Sequence, residues 1–149
     1  MKKAYTKTGD SGRTKDCSGR TLAKDDIRIV AGGKIDALQS AMDLALLAAR
    51  GPAKAILKEI QGKLWAEAGP KDLGKIERFI DGLGEPPRSF VRFGSLQAIR
   101  YNECRVRCRE LESACTPLLR ARKLRPEAYA YLNRLSSLFF MLACRASRR

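Results

Sequence analysis

Hydroxyl, glycine and basic residues crowd the start of the chain in a combination that suits phosphate binding. The segment reads Thr6-Lys7-Thr8-Gly9-Asp10-Ser11-Gly12-Arg13-Thr14. Its two glycines permit tight backbone curvature with exposed amides, and Lys7 or Arg13 can add positive charge around a phosphate. The segment is not a Walker A loop, because the terminal Gly-Lys-Ser/Thr is missing. Taken alone, it is equally well explained as a solvated tail.

A second group of chemically capable residues precedes Glu112. Arg105 and Arg109 are four positions apart, so they share one face of a helix, and Glu112 lies three positions beyond Arg109. Such a face can bind a triphosphate or pair with a carboxylate on a neighbouring helix. Spacing alone favours the simpler interpretation, which is a charged surface that faces solvent.

An asparagine interrupts an apolar helical run near the end of the chain. Asn133 lies in the segment Tyr131-Leu132-Asn133-Arg134-Leu135-Ser136. A buried amide is costly unless it is hydrogen-bonded. Asn133 therefore binds a ligand or satisfies a nearby backbone group, and the pattern does not choose between the two.

Composition limits the chemistry that these residues can perform. The chain contains no histidine, which excludes Ser-His and Cys-His catalysis and removes the commonest transition-metal ligand. Its five cysteines are an odd number and indicate reduced thiols. Cys104, Cys108 and Cys115 fall near one helical stripe, where small buried hydrophobes are favoured over a metal site.

Charge and length indicate a small soluble domain with an anionic partner. A chain of 149 residues has room for one domain, and its net charge of +14 favours a nucleotide, a nucleic acid or an acidic membrane surface. No apolar run approaches the roughly 20 residues that span a bilayer, and the start lacks a signal-peptide core. We therefore expect a cytoplasmic protein without a membrane partner.

Amphipathic helices must position these groups. Apolar residues recur at steps of three and four, and Gly-Pro pairs or proline-rich breaks separate the stripes. The predicted helical stretches are 35–49, 53–68, 73–83, 96–122 and one that begins at Arg125-Pro126 and runs to about residue 142. Short links between long helices predict an antiparallel bundle, and no segment shows strand alternation. Asp25 or Asp26 is expected to cap the first helix.

Together, and in this order, these segments resemble the PduO-type ATP:corrinoid adenosyltransferase family. The resemblance covers nearly the whole chain. It is carried by residues 5–12, Lys24-Asp25-Asp26, Gly33-Lys34-Ile35-Asp36-Ala37-Leu38, Ile60-Gln61, Phe90-Val91, residues 104–112 and residues 131–136. It implies an all-α fold, a five-helix antiparallel bundle of ferritin-like up-and-down form with an N-terminal nucleotide-binding loop. The chain would then be one adenosyltransferase domain, 1–149, with the loop in 1–26 and the bundle in 27–149.

The resemblance also implies an active site between adjacent subunits of a homotrimer. The residues that it places at ATP are Thr6, Lys7, Thr8, Gly9, Thr14, Lys24, Arg109, Glu112 and Asn133. Mg2+ would be held through ATP, with no metal bound by protein residues alone. Asp36 is expected to pair with Arg105 across the subunit boundary, and Phe90 with Phe93 would wall the corrin. Arg109, Asn133 and Phe90 carry the expected catalytic roles.

The implied reaction transfers the adenosyl group of ATP to Co(I) of a reduced corrinoid such as cobalamin, and it releases triphosphate. Co(I) is itself a strong nucleophile, so the absence of histidine is compatible with it. A leaving triphosphate needs fixed positive charge, which Lys7, Lys24 and Arg109 can supply. A reductase and an adenosylcobalamin-dependent enzyme are possible further partners.

Several positions depart from the family pattern. Arg92-Phe93-Gly94-Ser95 replaces a Leu-Pro-Gly-Gly-like turn, Glu110 replaces an arginine, and Lys15-Asp16-Cys17 replaces a hydroxyl-rich run. These differences motivate an alternative, a degenerate homologue that binds ATP or corrinoid without turnover. A less favoured alternative is a basic helical nucleic-acid binder, suggested by the net charge. The basic residues behind it are Arg107, Arg120, Arg122, Lys123, Arg125, Arg148 and Arg149.

Overall fold

Five helices form an up-and-down bundle in the computed structural model, which describes residues 4–63 and 67–147. The helices are α1 (Ile27–Ala48), α2 (Gly51–Gly62), α3 (Pro70–Asp81), α4 (Leu96–Arg120) and α5 (Pro126–Ser147). Strands β1 (Arg13–Lys15) and β2 (Thr21–Ala23) precede them. The predicted all-α five-helix fold is confirmed.

Polar contacts between helices establish their directions. Lys34 of α1 reaches Glu110 of α4 at 2.8 Å, and Arg100 donates to the Leu44 carbonyl at 2.7 Å, so α1 and α4 are antiparallel. Helices α4 and α5 are also antiparallel, since Thr116 and Tyr129 bond at one end and Ser95 and Ala146 at the other.

One neighbouring pair is parallel. Arg125 donates to the Ala68 carbonyl at 3.2 Å, and Arg134 meets Glu77 of α3 at 2.8 Å, with the same offset along both segments. This parallel packing of α3 on α5 follows from strict alternation, because two helices separated by one other must run in the same direction. The prediction of an antiparallel bundle therefore holds for neighbours in sequence.

Helix boundaries follow local chemistry that the apolar stripes did not reveal. Helix α1 begins eight residues before its predicted stripe, because the Asp26 carboxylate accepts from the Arg28 amide at 3.0 Å and caps it. The Arg28 side chain bonds the same carboxylate and lowers the pKa of Asp26. Helix α2 ends at Gly62, so the buried Ala68 lies outside it, contrary to prediction. Leu64, Arg148 and Arg149 lie outside the described residues.

The core lies where α1, α4 and α5 meet. Helix α5 contributes its largest members, among them Leu132, Leu135 and Phe139, all at most 1% exposed. Helix α1 packs against α4 with buried alanines such as Ala41 and Ala45, whose small side chains allow close approach. No helix in the described part of the chain is both long and apolar enough to cross a membrane.

The cysteine stripe of α4 belongs to this core. Cys104, Cys108 and Cys115 are fully buried, and the Cys108 thiol donates to the Leu132 carbonyl at 3.2 Å. Burial raises the pKa of Cys104 to about 12 and that of Cys115 to about 11. The three lie in one line over eleven residues, about 16 Å of helix, which is too far for one metal ion. They are packing residues, as the sequence favoured.

Native thiol titration should detect a single reactive cysteine. Cys17 is exposed, whereas the other four cysteines are buried and reduced. Because burial holds the pKa of the buried α4 thiols far above neutrality, they remain protonated and shielded at pH 8. We expect one equivalent of an aromatic disulfide reagent to react rapidly before unfolding and five afterwards. A second rapid equivalent, or a fast-reacting thiol that remains in a Cys17→Ser variant, would contradict this packing.

Candidate active site

The glycine-threonine arm, residues 6–24, folds into turns that lead into a small hairpin. The Asp10 amide donates to the Lys7 carbonyl and the Gly12 amide to the Gly9 carbonyl, both at 3.2 Å. Lys7 adopts φ +59° and Gly12 φ +75°, so the backbone curves sharply at both residues. Left-handed backbone is uncommon for a lysine and marks the turn as unusual.

The hairpin was missed by the sequence, which predicted no strand. Strands β1 and β2 pair antiparallel with Thr14 opposite Leu22. Three residues are too few to show an alternating pattern, so the turn chemistry between them was the only signal available. The pairing reverses the direction of the chain, so the end of the arm lies next to the glycine turn at its start.

Lys24 lies over the glycine turn as a result of this return. Its amide donates to the Gly12 carbonyl at 2.8 Å. A methyl group placed on Gly9 would lie 3.1 Å from the Lys24 Nζ, so a larger residue at this position would crowd the ammonium group. Neither Lys24 nor Lys7 forms an ion pair with another described residue. The predicted residues Gly9 and Lys24 are thus brought together, with both lysine charges available to an anion.

Asp16 builds the turn between the two strands. Its Oδ1 accepts from the Ser18 amide, the Ser18 hydroxyl and the Arg20 amide, and its Oδ2 accepts from the Arg20 side chain at 2.9 Å. These bonds, led by that from the Ser18 hydroxyl, lower the pKa of Asp16 to about 2. Asp16, a departure from the family pattern, therefore has a structural role here.

The helical part of the site lies on the seam between α4 and α5. The Asn133 side chain donates to the Glu112 carboxylate at 2.9 Å, and its oxygen accepts from Arg134, also at 2.9 Å. Asn133 is exposed and not buried. Its side chain bonds to Glu112 and Arg134, and these two partners hold its amide in one orientation. Arg109, one helical turn before Glu112, is exposed and has no ion-pair partner among the described residues.

A cleft of about 390 Å3 begins beside this group and runs along the seam. Arg105 and Arg109 line it from α4, and Ser136 and Phe140 line it from α5. Asn133 and Phe140 are seven residues apart, or about 10 Å along the helix. The cleft therefore connects Arg109, one of the predicted nucleotide residues, with Phe140 further along α5.

The two phenylalanines that are expected at a corrin, Phe90 and Phe93, are not equivalent. Phe93 is half-buried and meets the Phe140 ring edge to face, with 6.4 Å between centroids. Phe90 is 93% exposed and projects from the connection between α3 and α4. Of the two residues expected at a corrin, Phe93 packs against the protein and Phe90 offers a free face.

The expected pair of Asp36 and Arg105 is not formed within one chain. The Arg105 guanidinium lies 5.3 Å from the centroid of the Phe140 ring, while Asp36 is exposed without an ion-pair partner in the described chain. A pair across a subunit boundary stays a prediction. Helix α4 also carries an ion pair that sequence reasoning missed, because Glu110 meets Lys34, 76 positions away.

The chain matches a known protein family over nearly its whole length. The family model described as cobalamin adenosyltransferase matches residues 4–146. The chain is 30% identical to a corrinoid adenosyltransferase of Citrobacter freundii, over 96% of this chain and 94% of that protein. It is 32% identical to a cobalamin adenosyltransferase of Cupriavidus metallidurans, over 96% and 87% of the two chains.

A solved structure shares the fold. A variant of the PduO-type ATP:corrinoid adenosyltransferase of Lactobacillus reuteri, determined with cobalamin and ATP, superposes with a TM-score of 0.85. The match covers 98% of this chain and 94% of that one at 24% identity. The same bundle and arm are therefore present in both proteins.

Replacement of Asp16 should loosen the hairpin. Asp16→Asn removes the charge and one acceptor, so exchange of the Ser18 and Arg20 amides with solvent should accelerate severalfold at neutral pH. The pKa of this carboxyl is lowered from 3.8 to about 2 in the folded hairpin, so its contribution is complete above pH 4 and lost as pH falls through 2. Asp10→Asn is the matched control. Unchanged exchange in Asp16→Asn would contradict this role for the carboxylate.

Proposed function

The chain belongs to the cobalamin adenosyltransferase family, so its reaction is adenosyl transfer from ATP to a corrinoid, and we propose that Co(I) is the acceptor and triphosphate the product. Co(I) attacks C5′ of ATP, the Co–C bond forms with the metal's electron pair, and the C5′–O bond breaks with its pair going to triphosphate. The observation that carries this proposal is the cleft that runs from Arg109, one helical turn from the Glu112–Asn133 pair, to Phe140.

The arm supplies charge and amides for the leaving triphosphate. Lys24 and Lys7 have no ion-pair partner among the described residues, and the exposed Arg109 is equally unpaired. Fixed positive charge stabilises a leaving anion most when it is already in place before the bond breaks. The hairpin fixes the Lys24 backbone through its bond to the Gly12 carbonyl, and the Lys24 ammonium lies above Gly9, where it would meet a phosphate.

The nucleoside would be recognised at the α4–α5 seam. One oxygen of Glu112 is engaged by Asn133. The second oxygen can accept from a ribose hydroxyl or the adenine amino group, which are the hydrogen-bond donors of a nucleoside. Asn133 orients the Glu112 carboxylate through this bond, and Arg109 lies one helical turn away at the polar end of the cleft.

Mg2+ fits the arm only together with ATP. No group of three acidic, cysteine or histidine side chains in the described residues is suited to a metal ion. The hydroxyls of Thr6 and Thr8 lie 2.8 Å apart and are hard oxygen donors of the kind Mg2+ accepts beside phosphate oxygens. When bound, Mg2+ would neutralise part of the phosphate charge. Thr14 is half-buried and pairs with Leu22 in the hairpin that follows this turn.

Phe90 would provide the apolar wall for the corrin. Its ring is almost fully exposed on the connection between α3 and α4, whereas Phe93 anchors that connection to Phe140. An exposed aromatic is costly in water and favourable against a flat macrocycle. We assign Phe90 to displacement of the lower axial ligand of cobalt and Phe93 to its support.

A homotrimer would complete the site. Of the eight large hydrophobic residues exposed in the described chain, six lie on α1 or α4: Val30, Leu44, Leu47, Leu96, Ile99 and Val106. Exposed apolar side chains that are concentrated on two packed helices are typical of a protein interface. Asp36 and Arg105 lie on the same two helices, so their pairing between copies would fix the register. We place the reaction in the cytoplasm, with a reductase as electron source and an adenosylcobalamin-dependent enzyme as acceptor.

The test of the reaction is anaerobic turnover with chemically reduced cobalamin, ATP and Mg2+, followed by the corrinoid absorbance and by chromatography of triphosphate. We expect stoichiometric adenosylcobalamin and triphosphate. Arg109→Ala and Asn133→Ala should each lower kcat/KM for ATP about 5- to 150-fold, equivalent to 1–3 kcal/mol for a lost charged or oriented hydrogen bond. Arg120→Ala, an exposed arginine of the same helix, is the control.

Two outcomes would refute parts of this assignment. Tight ATP binding by calorimetry with no product would identify a degenerate binder instead of an enzyme. Wild-type kinetics in both Arg109→Ala and Asn133→Ala would place the nucleotide elsewhere. No observation supports the nucleic-acid alternative, because the matched segments are explained by the family.

Asp36→Ala should weaken the trimer. Loss of the proposed partner of Arg105 leaves an unpaired cation at the boundary, so sedimentation velocity should detect dissociation at about tenfold higher protein concentration than for wild type. Glu67→Ala removes one acidic charge away from α1 and α4 and is the control. An Asp36→Ala trimer as tight as the Glu67→Ala trimer would exclude this pair from the interface.

A further inference from the structure

We propose that Arg88 and Arg92 select corrinoids that carry an anionic oxygen at the rim of the macrocycle. This inference rests on the proposed function and adds a determinant of substrate class to it. The residues belong to the irregular connection between α3 and α4 that also carries Phe90.

The exposure pattern places Arg92 on the side of Phe90, and it leaves Arg88 exposed in the bend that precedes Phe90. From Phe90 to Phe93 exposed and half-buried residues alternate, with Val91 and Phe93 turned inward. This alternation is that of an extended chain, in which residues two apart share one side. Arg88 and Arg92, both exposed, lie two positions before and after Phe90.

The connection is held at both ends, so its outward side chains have a defined place. The Ser95 hydroxyl accepts from the Ala98 amide at 3.1 Å and donates to the Ala146 carbonyl at 3.2 Å, and Phe93 rests on Phe140. At the other end, Gly84 and Pro86 line the cleft of about 390 Å3. Phe90 and its flanking arginines therefore stand beside that cleft.

Neither arginine is neutralised by the chain. The nearest acids in sequence are Asp81 and Glu85, and no ion pair joins either of them to Arg88 or Arg92 within the described residues. Two unpaired guanidinium groups on either side of an exposed aromatic ring fit a flat apolar ligand with anionic oxygens at its edge. Guanidinium groups bind carboxylate and phosphate oxygens in a bidentate manner, whereas neutral amides gain much less from the charge.

Corrinoids offer this anionic oxygen in two places. Cobalamin carries a phosphodiester in its nucleotide loop, and a corrinoid with unamidated side chains carries carboxylates around the ring. Cobinamide has neither, because its side chains are amides and its nucleotide loop is absent. The three compounds therefore separate the two anionic sources from the uncharged rim.

Equilibrium dialysis with absorbance detection measures the affinity for each compound without requiring turnover. The probes are cobalamin, cobinamide and cobyrinic acid, the last bearing free carboxylates. Wild type is compared with Arg88→Gln/Arg92→Gln and with Lys58→Gln/Lys71→Gln, which removes the same charge from exposed positions on α2 and α3. Turnover of the same three compounds is followed in parallel.

Wild type should bind at least one anionic compound about tenfold more tightly than cobinamide, and this preference should shrink as salt rises. Arg88→Gln/Arg92→Gln should abolish the preference, and the control should keep it. Loss confined to cobalamin assigns the phosphodiester, and loss confined to cobyrinic acid assigns the carboxylates.

Equal affinity of wild type for all three compounds would overturn the inference, as would a variant weakened equally for all three. Preference without product from any compound would support the selection of an anionic rim while refuting the proposed reaction. Turnover of all three compounds with equal KM would support the proposed reaction and refute the selection of an anionic rim.

Discussion

The antiparallel packing of α4 on α5 is the constraint on which the rest of the site depends. Buried Cys108 and Leu132 fix the register of the two helices through a thiol-to-carbonyl bond of 3.2 Å. That register places Glu112 opposite Asn133 at one level and Arg105 over Phe140 at another. Because cores are close-packed, a shift of one turn would break both pairs at once. The packing of the small α4 thiols therefore helps determine which polar residues of α4 and α5 face each other.

Most of the helical frame could be predicted from sequence, because apolar spacing and prolines act locally. The start of α5 at Pro126 and the break after α1 both followed from such signals. The long-range pairs could not, since Lys34 and Glu110 are 76 positions apart and nothing in either segment indicates the other. Individual site residues came from a family resemblance, whereas spacing alone left Arg109 and Asn133 ambiguous.

The arm shows why a charge count is a weak guide to function. A net charge of +14 suggested several anionic partners. The structure shows where individual unpaired cations lie, such as Lys24 above Gly9 and Arg109 beside the cleft. Seven basic residues of the described chain form ion pairs, for example Arg134 with Glu77, so lack of a partner alone does not identify a site. What matters is which cations lack a partner and where the backbone holds them.

The positions that depart from the family pattern differ in what compensates them. Asp16 gains hydrogen bonds to Ser18 and Arg20, and Glu110 gains Lys34, so both changes are balanced within the chain. Arg92 gains no ion-pair partner among the described residues and faces solvent beside Phe90. A substitution that is balanced internally preserves the fold, whereas an unbalanced charge at a ligand edge acts on the ligand. We therefore expect the changes near Phe90 to affect which corrinoid binds more than whether the bundle forms.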